Sequence, residues 1–204
     1  MEDPIRELIA VGKLFESRQW FLGTSGNLSF LDSHSPLVFS ITGSGLDKGR
    51  LGKESFVRVA VDEKMTRKAK RHPSHEHPIH RAIYQSTDAG CVIHAHILSG
   101  LLAADMLPSN GAISLSGLEI LKGLGCKTAG DILKVPVIDN NDDVQDLADN
   151  LAQAVQLTNG LLAPAVLVRH HGMFSWGGSV FAAKRHMELL SHAFDYLTSK
   201  SHSA

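Results

Sequence analysis

Two histidines separated by one residue give the sequence its sharpest chemical feature. His94 and His96 lie in the apolar run CVIHAHI over residues 91–97. Side chains two apart in a β-strand share a face, so the two imidazoles can converge. Neutral imidazole nitrogen is a preferred ligand of zinc, at about 2.0–2.1 Å, and of neighbouring metals. The spacing fits a metal site, and it fits equally well two half-exposed histidines that pack on a sheet.

A further ligand is available at the end of a second apolar run, VLVRHHG over residues 166–172. Gly172 permits a sharp turn there, and in a regular strand His170 and His171 cannot face the same way. Three histidines would leave coordination positions open for water or substrate, as in catalytic rather than structural sites.

A second group of histidines competes for this role. Its members are His72, His75, His77 and His80. They lie in a predicted loop and helix start that Pro78 interrupts, which makes their convergence on one ion less favourable.

Two glycine-containing turns predict a site for an anion. The segment GTSGN over residues 23–27 precedes a predicted strand, and ITGSG over residues 41–45 follows one. Backbone N–H groups and hydroxyls in such turns form anion-binding nests, although each turn alone also fits a plain hairpin. Neither segment is a Walker loop or a dinucleotide fingerprint. Ser74 and Glu76 follow at the predicted N-terminus of a helix, whose dipole favours an anion.

A sheet and several helices must position these residues. Asp3 and Pro4 predict the start of a first helix that reaches about residue 20. Apolar runs predict strands over residues 28–31, 37–42, 56–61, 91–97, 135–138 and 165–169. Helical periodicity predicts helices over residues 80–85, 115–124, 144–155 and 180–197. The hairpin-like order of the first strands favours a largely antiparallel sheet, and we expect one α/β domain over residues 1–204.

Length and composition narrow the class of protein. The chain has 204 residues, enough for one domain whose core needs no disulfides. Cys91 and Cys126 lack a CxxC spacing and indicate buried thiols in a reducing compartment. The net charge of −1 removes the general electrostatic argument for a nucleic-acid partner. No apolar stretch approaches the ~20 residues of a membrane span. We therefore expect a cytoplasmic protein with no membrane partner.

Taken in chain order, these segments resemble the class II aldolase and adducin family. The family pattern is TSGN, a TGS-type loop, PSxExxxH, HxH and a late HGxxxWG, and the matching segments are residues 24–27, 42–44, 73–80, 94–96 and 171–177. The resemblance implies an α/β fold, a single-domain layered αβα sandwich with a largely antiparallel central sheet. It also implies one zinc ion (Zn2+) per subunit, a small phosphorylated sugar as substrate, and a homo-oligomer, commonly a tetramer.

The resemblance also assigns roles to individual residues. It implies that zinc is held by His94, His96 and His171. It implies that the substrate phosphate is held by Gly26, Asn27, Thr42, Gly43 and Ser74, with Lys48 assisting as a point charge.

Within the family, the chain is most similar to a branch that removes water from a ketose phosphate. That similarity rests on SGLDKG over residues 44–49, EILKGL over residues 119–124 and the RxHG strand end over residues 169–172. It implies that Glu119 exchanges the protons, and Glu76 is the second candidate because the aldolase branch uses that glutamate for acid–base work. Without the resemblance, Glu119 fits equally well a helix-face carboxylate that meets Lys122 at i+3.

Two other classes of function stay open. A sister enzyme could use the same metal chemistry for retro-aldol cleavage or epimerisation of a sugar phosphate. Adducin-like proteins keep the fold as a metal-free interaction module. That last interpretation predicts lost histidines, whereas His94, His96 and His171 are all present.

Overall fold

A mixed β-sheet with helices on both faces forms the framework of the protein. The computed structural model describes residues 3–60, 71–106, 111–157 and 159–201. The helices are α1 (Pro4–Ser17), α2 (His77–Ser86), α3 (Leu98–Asp105), α4 (Val144–Leu157) and α5 (Val180–Ser201), with 3₁₀ helices at Lys48–Arg50, Lys53–Ser55 and Glu119–Leu124. The strands are β1 (Asn27–His34), β2 (Leu37–Thr42), β3 (Phe56–Ala60), β4 (Cys91–Ala95), β5 (Gly111–Leu115), β6 (Leu133–Ile138), β7 (Leu161–Leu162), β8 (Ala165–Val168) and β9 (Gly172–Gly177).

The strand order is β3-β2-β1-β4-β9-β8-β6-β5, and β7 pairs with β6. All neighbours along this order are antiparallel except β6 and β8, which α4 connects as a parallel crossover. The prediction of a largely antiparallel sheet is therefore confirmed.

Two apolar cores lie on opposite faces of the sheet. In β4, Cys91, Ile93 and Ala95 belong to the core that contains residues of α1, α3 and α5. Val92, between them, belongs to the core that contains residues of α2 and α4. Side chains of a strand alternate between its faces, so β4 is buried on both sides and the architecture is the αβα sandwich that the sequence predicts.

Local signals in the sequence set the ends of several elements. The Asp3 side chain accepts a hydrogen bond from the Ile5 N–H at 3.1 Å, and Pro4 occupies the first turn of α1. Gly125, at φ 102°, ends the 3₁₀ helix Glu119–Leu124 in the left-handed region.

Some predicted bounds differ from the observed ones. Helix α1 ends at Ser17 rather than near residue 20, and β4 ends at Ala95 rather than at residue 97. The helix predicted over residues 115–124 is a 3₁₀ helix preceded by the end of β5. Strand β3 ends at Ala60, and residue 61 lies outside the described residues.

Several elements have no counterpart in the sequence-based prediction, and burial explains two of them. All six residues of β9 are buried, so polar and apolar positions do not alternate. Helix α3 is short and apolar around most of its circumference, which removes the helical period. Strands β5 and β7 were also not predicted. Within the described ranges, we find no helix with the length and apolarity needed to span a membrane.

Candidate active site

The antiparallel pairing of β4 with β9 brings the histidines together. Ala95, at the end of β4, lies opposite Met173, at the start of β9. His96 follows β4 directly and His171 precedes β9 directly, so these two residues meet at one edge of the sheet. His94 lies opposite Phe174, whose ring stacks on the imidazole with a centroid separation of 4.0 Å. Two strands that are distant in the chain thus supply one cluster.

A tight turn between β8 and β9 selects His171 over its neighbour. His170 adopts φ 56°, in the left-handed region, and the His171 N–H donates to the Val168 carbonyl at 3.2 Å. The His170 side chain is 73% exposed and lies 3.1 Å from Asp105. The His171 Nε2 atom instead lies 2.8 Å from Glu76 Oε1. Only one of the two adjacent histidines therefore enters the cluster.

The three imidazoles are oriented as metal ligands. The ligand atoms of His94, His96 and His171 all lie within 4.8 Å of one another, and the Nε2 atoms of His94 and His96 are 3.1 Å apart. A tetrahedral zinc ion with nitrogen ligands at 2.0–2.1 Å would space them by about 3.3 Å. This donor set therefore fits a divalent cation.

Hydrogen bonds at the far ring nitrogens fix which nitrogen faces the cluster. The His94 Nδ1 atom lies 3.2 Å from the Met173 carbonyl, and the His171 Nδ1 atom lies 3.1 Å from Asn140 Oδ1. Each oxygen can only accept, so Nδ1 carries the proton and the Nε2 lone pair points into the cluster. Asn140 was not predicted from the sequence, and nothing in the spacing around it distinguishes it from other polar loop residues.

The charges of the cluster also favour a cation. Burial lowers the pKa of His94 to about 3 and also lowers the pKa of His96, so both rings are neutral acceptors. Burial raises the pKa of the Glu76 carboxyl, whereas the hydrogen bond that Asn27 donates lowers it and favours the carboxylate. Three nitrogen lone pairs and a carboxylate therefore face one another, and a positive ion relieves their repulsion.

Two glycines allow the chain to approach the histidines closely. A Cβ atom on Gly172 would lie 2.7 Å from the Ala95 carbonyl oxygen and 2.9 Å from carbon atoms of the His94 and His96 rings. A Cβ atom on Gly26, at φ 71°, would lie 2.7 Å from the His94 carbonyl oxygen. Any larger residue at these positions would displace the histidines.

Beside the histidines lies a cleft of about 380 Å³. Its lining comprises Thr24, Ser25, Gly26, Asn27, Gly43, Ser44, Gly45, Lys48, Ser74, His75, Glu76, His96 and His171. The Gly43 N–H donates to Ser55 at 2.8 Å and the Ser44 N–H to His72 at 3.0 Å, so these two amides hold the turn in place rather than forming an anion nest.

Two side-chain donors, Ser25 and Lys48, line the cleft. The hydroxyl of Ser25 is buried without a hydrogen-bond partner among the described residues, which marks a place for a ligand oxygen. Ser25 belongs to the TSGN segment but was not among the residues predicted to bind the substrate. The Lys48 ammonium donates to the carbonyls of Thr24 at 2.6 Å and Leu46 at 2.7 Å, and so ties the two glycine turns together.

The structure brings together most of the predicted site residues. Those that line the cleft are Gly26, Asn27, Gly43, Lys48, Ser74, Glu76, His96 and His171. His94 is completely buried behind it. Thr42 is also buried, and its hydroxyl accepts a hydrogen bond from the Leu28 N–H at 3.2 Å, so it supports the turn from the core side.

Glu119 lies apart from this group. Its side chain is 78% exposed and accepts a hydrogen bond from Lys122 Nζ at 2.6 Å, which is the i, i+3 pair that the sequence also allows. Glu119 is not among the residues that line the cleft.

The competing histidine group does not converge. His80 is completely buried, with both ring nitrogens hydrogen-bonded, to Ser29 and Asn27. His77 Nδ1 lies 3.1 Å from the Ser74 carbonyl, and His75 is exposed. Among the described residues, the group that could hold a metal ion is His94, His96 and His171.

This fold and site agree with a known class of protein. The family model of the class II aldolase and adducin N-terminal domain matches residues 6–198. The chain therefore belongs to the class II aldolase and adducin family. Among its curated relatives, the methylthioribulose-1-phosphate dehydratase of Persephonella marina is 38% identical over 181 residues, which are 89% of this chain and 82% of that protein.

Other relatives agree with this placement. The methylthioribulose-1-phosphate dehydratase of Geobacillus thermodenitrificans is 35% identical over 190 residues, covering 93% of this chain and 88% of that protein. The solved structure of L-fuculose-1-phosphate aldolase from Thermus thermophilus superimposes with a TM-score of 0.75 at 24% identity, covering 96% of this chain and 94% of that one. At that identity the structural likeness shows the shared fold alone.

We expect the purified protein to bind about one divalent ion per chain, and His96→Ala to remove most of it, because an incomplete ligand set binds weakly. His170→Ala is the matched control, since its side chain points away from the cluster. Elemental analysis of the three proteins measures the effect. Full metal content in a His94→Ala, His96→Ala double variant would contradict the assignment.

Phosphate binding should weaken as the pH rises through about 8. Burial lowers the pKa of Lys48 to about 8, against the opposing charges of Glu76 and Asp47, so the lysine loses its positive charge above that pH. Between pH 7.5 and 9.5 the affinity for inorganic phosphate should fall roughly tenfold, the value of one charge-assisted hydrogen bond. Calorimetric titration measures it, with Lys48→Met as a control that binds weakly at every pH. A pH dependence that persists in Lys48→Met would exclude Lys48 as its source.

Proposed function

We propose that the chain removes water from 5-methylthioribulose 1-phosphate to give 2,3-diketo-5-methylthiopentyl 1-phosphate, a step of methionine salvage. The observation that carries this proposal is similarity to dehydratases of that name over 89–94% of the chain. The site supports it, because a histidine cluster that could hold a cation, the Glu76 carboxylate and a cleft lined by Ser25 and Lys48 adjoin one another. An aldolase or epimerase that acts on a sugar phosphate, such as a fuculose- or ribulose-phosphate, is the alternative.

We infer that the cation is zinc, one per subunit, held by His94, His96 and His171. Neutral imidazoles are suitable ligands for zinc, and three of them leave a position for substrate. A bound divalent ion acts as a Lewis acid and stabilises negative charge that develops on substrate oxygen atoms.

The cleft residues would bind and orient the substrate. The phosphate would lie against the hydroxyl of Ser25, the turn at Gly26 and Gly43, and the Lys48 ammonium, while Asn27, Ser74 and Thr42 hold these segments in place. Anchoring the phosphate fixes C3 and C4 of the substrate relative to the carboxylates. The free energy of phosphate binding thereby offsets the entropy cost of orienting the reacting carbons.

Dehydration breaks the C3–H and C4–O bonds, and the resulting enol takes up a proton at C4 to give the diketone. A carboxylate accepts the C3 proton, and the hydroxide of C4 leaves with a proton as water. We assign this exchange to Glu119. Glu76 has the supporting role: one oxygen accepts a hydrogen bond from Asn27, and the other lies 2.8 Å from His171 Nε2, where its negative charge favours a bound cation.

Because Glu119 does not line the cleft of its own chain, we propose that it acts in the cleft of a neighbouring subunit of a homo-oligomer, which we infer to be a tetramer. Exposed apolar side chains next to the site support this proposed association of subunits. Leu22 is 64% and Leu98 70% exposed, and both line a cavity of about 890 Å³ that shares His96 with the cleft. Apolar surface of this kind favours association with a partner. We place the enzyme in the cytoplasm, where its two cysteines are buried thiols rather than a disulfide.

The product assay tests the reaction. With 5-methylthioribulose 1-phosphate as substrate, the wild-type enzyme should form the diketone. Glu119→Gln should lower turnover by about 10² to 10⁴, the usual effect of losing a positioned acid–base group. Glu76→Gln should lower it only by roughly tenfold, as expected for the loss of a charged group next to the metal ligands. Both variants should keep their metal. Shorter carbon fragments in place of the diketone, with Glu76→Gln the more damaging change, would instead indicate an aldolase.

Mixed oligomers test whether Glu119 acts across subunits. Glu119→Gln and His96→Ala are each expected to be inactive. If they are refolded together one to one, about a quarter of the sites should combine an intact histidine triad with an intact glutamate from the neighbour, and a quarter of the activity should return. A mixture of His94→Ala with His96→Ala is the control, because both changes fall in one triad. No recovery in the first mixture would show that Glu119 does not act in trans.

A further inference from the structure

A chain of buried hydrogen bonds leads from Glu76 away from the cleft and into the protein. Asn27 Nδ2 donates to Glu76 Oε2 at 2.5 Å, and Asn27 Oδ1 is in contact with His80 Nε2. His80 Nδ1 lies 2.7 Å from the hydroxyl of Ser29, which in turn lies 2.7 Å from the Tyr84 hydroxyl. Asn27, Ser29, His80 and Tyr84 are all buried, so water does not compete for these bonds.

The donors and acceptors give this chain one direction. The NH₂ group of Asn27 faces two oxygens, Glu76 Oε2 and, at 3.0 Å, Ser74 Oγ, so its Oδ1 faces His80. An amide oxygen only accepts, and therefore His80 Nε2 carries the proton. Burial lowers the pKa of His80 to about 3, so the ring is neutral and its Nδ1 accepts from Ser29. Ser29 then accepts from Tyr84.

Reversing the Asn27 amide would disrupt both of its ends. The amide oxygen would then face Glu76 and Ser74 in place of the NH₂ group, leaving a carboxylate opposite another acceptor. At the other end, the NH₂ group would face the N–H of His80. The proton on His80 Nε2 therefore holds the amide in the orientation that serves the carboxylate.

The residues of this hydrogen-bond chain are spaced regularly along one helix and one strand. Glu76, His80 and Tyr84 are spaced by four along the N-cap and body of α2, so they share one face of the helix. Asn27 and Ser29 are spaced by two in β1 and share one face of the strand. These hydrogen bonds thus hold α2, whose N-cap is Glu76, against β1, which carries the donor Asn27.

We propose that His80 is a positioning residue that sets the Glu76 carboxylate through the amide of Asn27. This proposal rests on the proposed function only in that the Glu76 carboxylate acts beside the metal ligands during turnover. It gives the histidine of the PSxExxxH segment a role other than the metal binding considered for it in the sequence. It also explains a fully buried histidine that does not line the cleft.

Two amide substitutions at residue 80 separate this role from packing. The terminal N–H of His80→Gln reaches about as far as Nε2 and can still donate to Asn27. His80→Asn is one methylene shorter and reaches only as far as Nδ1, so it can bind Ser29 but not Asn27. Because the imidazole ring is lost in both, the difference between them reports on the Asn27 contact.

We expect His80→Asn to lower kcat roughly fivefold with KM nearly unchanged, since the reacting groups are misplaced but the phosphate cleft is intact. His80→Gln should stay within about twofold of wild type. Metal content should be unchanged in both, because the triad ligands are intact. Steady-state kinetics and elemental analysis measure these effects. Equal kcat in the two variants, whether high or low, would overturn the proposal.

Crystal structures of the two variants decide the proposal independently of activity. The contact between Asn27 Nδ2 and Glu76 Oε2 should persist in His80→Gln and be lost in His80→Asn. If the wild-type enzyme forms no diketone, the proposed function fails, while this structural comparison still stands. An unchanged Asn27 amide in His80→Asn would refute the positioning role. Should His80→Asn fail to fold, His80→Leu, which also lacks the donor, takes its place in both measurements.

Discussion

The site depends on the mutual repulsion of acceptor groups that the fold forces together. The Nε2 atoms of His94 and His96 are 3.1 Å apart, and Glu76 Oε1 lies 2.8 Å from His171 Nε2. Lone pairs that face one another at such distances in a buried site are unfavourable unless a cation lies between them. The acceptors are nevertheless held there by hydrogen bonds on their outer sides, which His94 Nδ1 donates to the Met173 carbonyl and His171 Nδ1 donates to Asn140 Oδ1. The structure thus prepares the ligands before any ion binds.

The sheet can hold these acceptor groups close together because the strands next to the ligands are completely buried. Strand β4 lies between β1 and β9 and contributes side chains to both cores. The ligands sit where β4 ends and β9 begins, so their backbone is anchored by the strand ladder while their side chains reach the edge of the sheet. Glycine at residue 172 is required by this arrangement, because a side chain there would meet the rings of His94 and His96. Apolar burial thereby offsets the cost of concentrating polar groups at the cleft.

Several expectations from the glycine turns changed once the hydrogen bonds were known. The amides of Gly43 and Ser44 bind Ser55 and His72, so they shape the turn and do not present themselves to an anion. Ser25, in the other turn, has a buried hydroxyl that the described residues leave without a partner. A sequence shows that a turn contains glycines and hydroxyls, but the neighbouring strands decide which donors are already used. The sequence likewise does not show which side chains reach the cleft. The helical spacing of Glu119 could not place it inside or outside.

The sequence by itself determined the elements whose signals are local. The Asp3–Pro4 cap, the alternating and apolar strands and the HxH spacing each depend on residues a few positions apart, and a short segment contains all of that information. The strand pattern left His170 and His171 as alternatives, and the family resemblance indicated His171. Tertiary structure supplies the physical reason, a left-handed turn at His170 where β8 pairs with β9. It also decided the role of His80, which in the sequence is one of four closely spaced histidines. Its partners Ser29 and Asn27 lie 51 and 53 residues away, and such contacts exist only after the sheet and α2 have packed together.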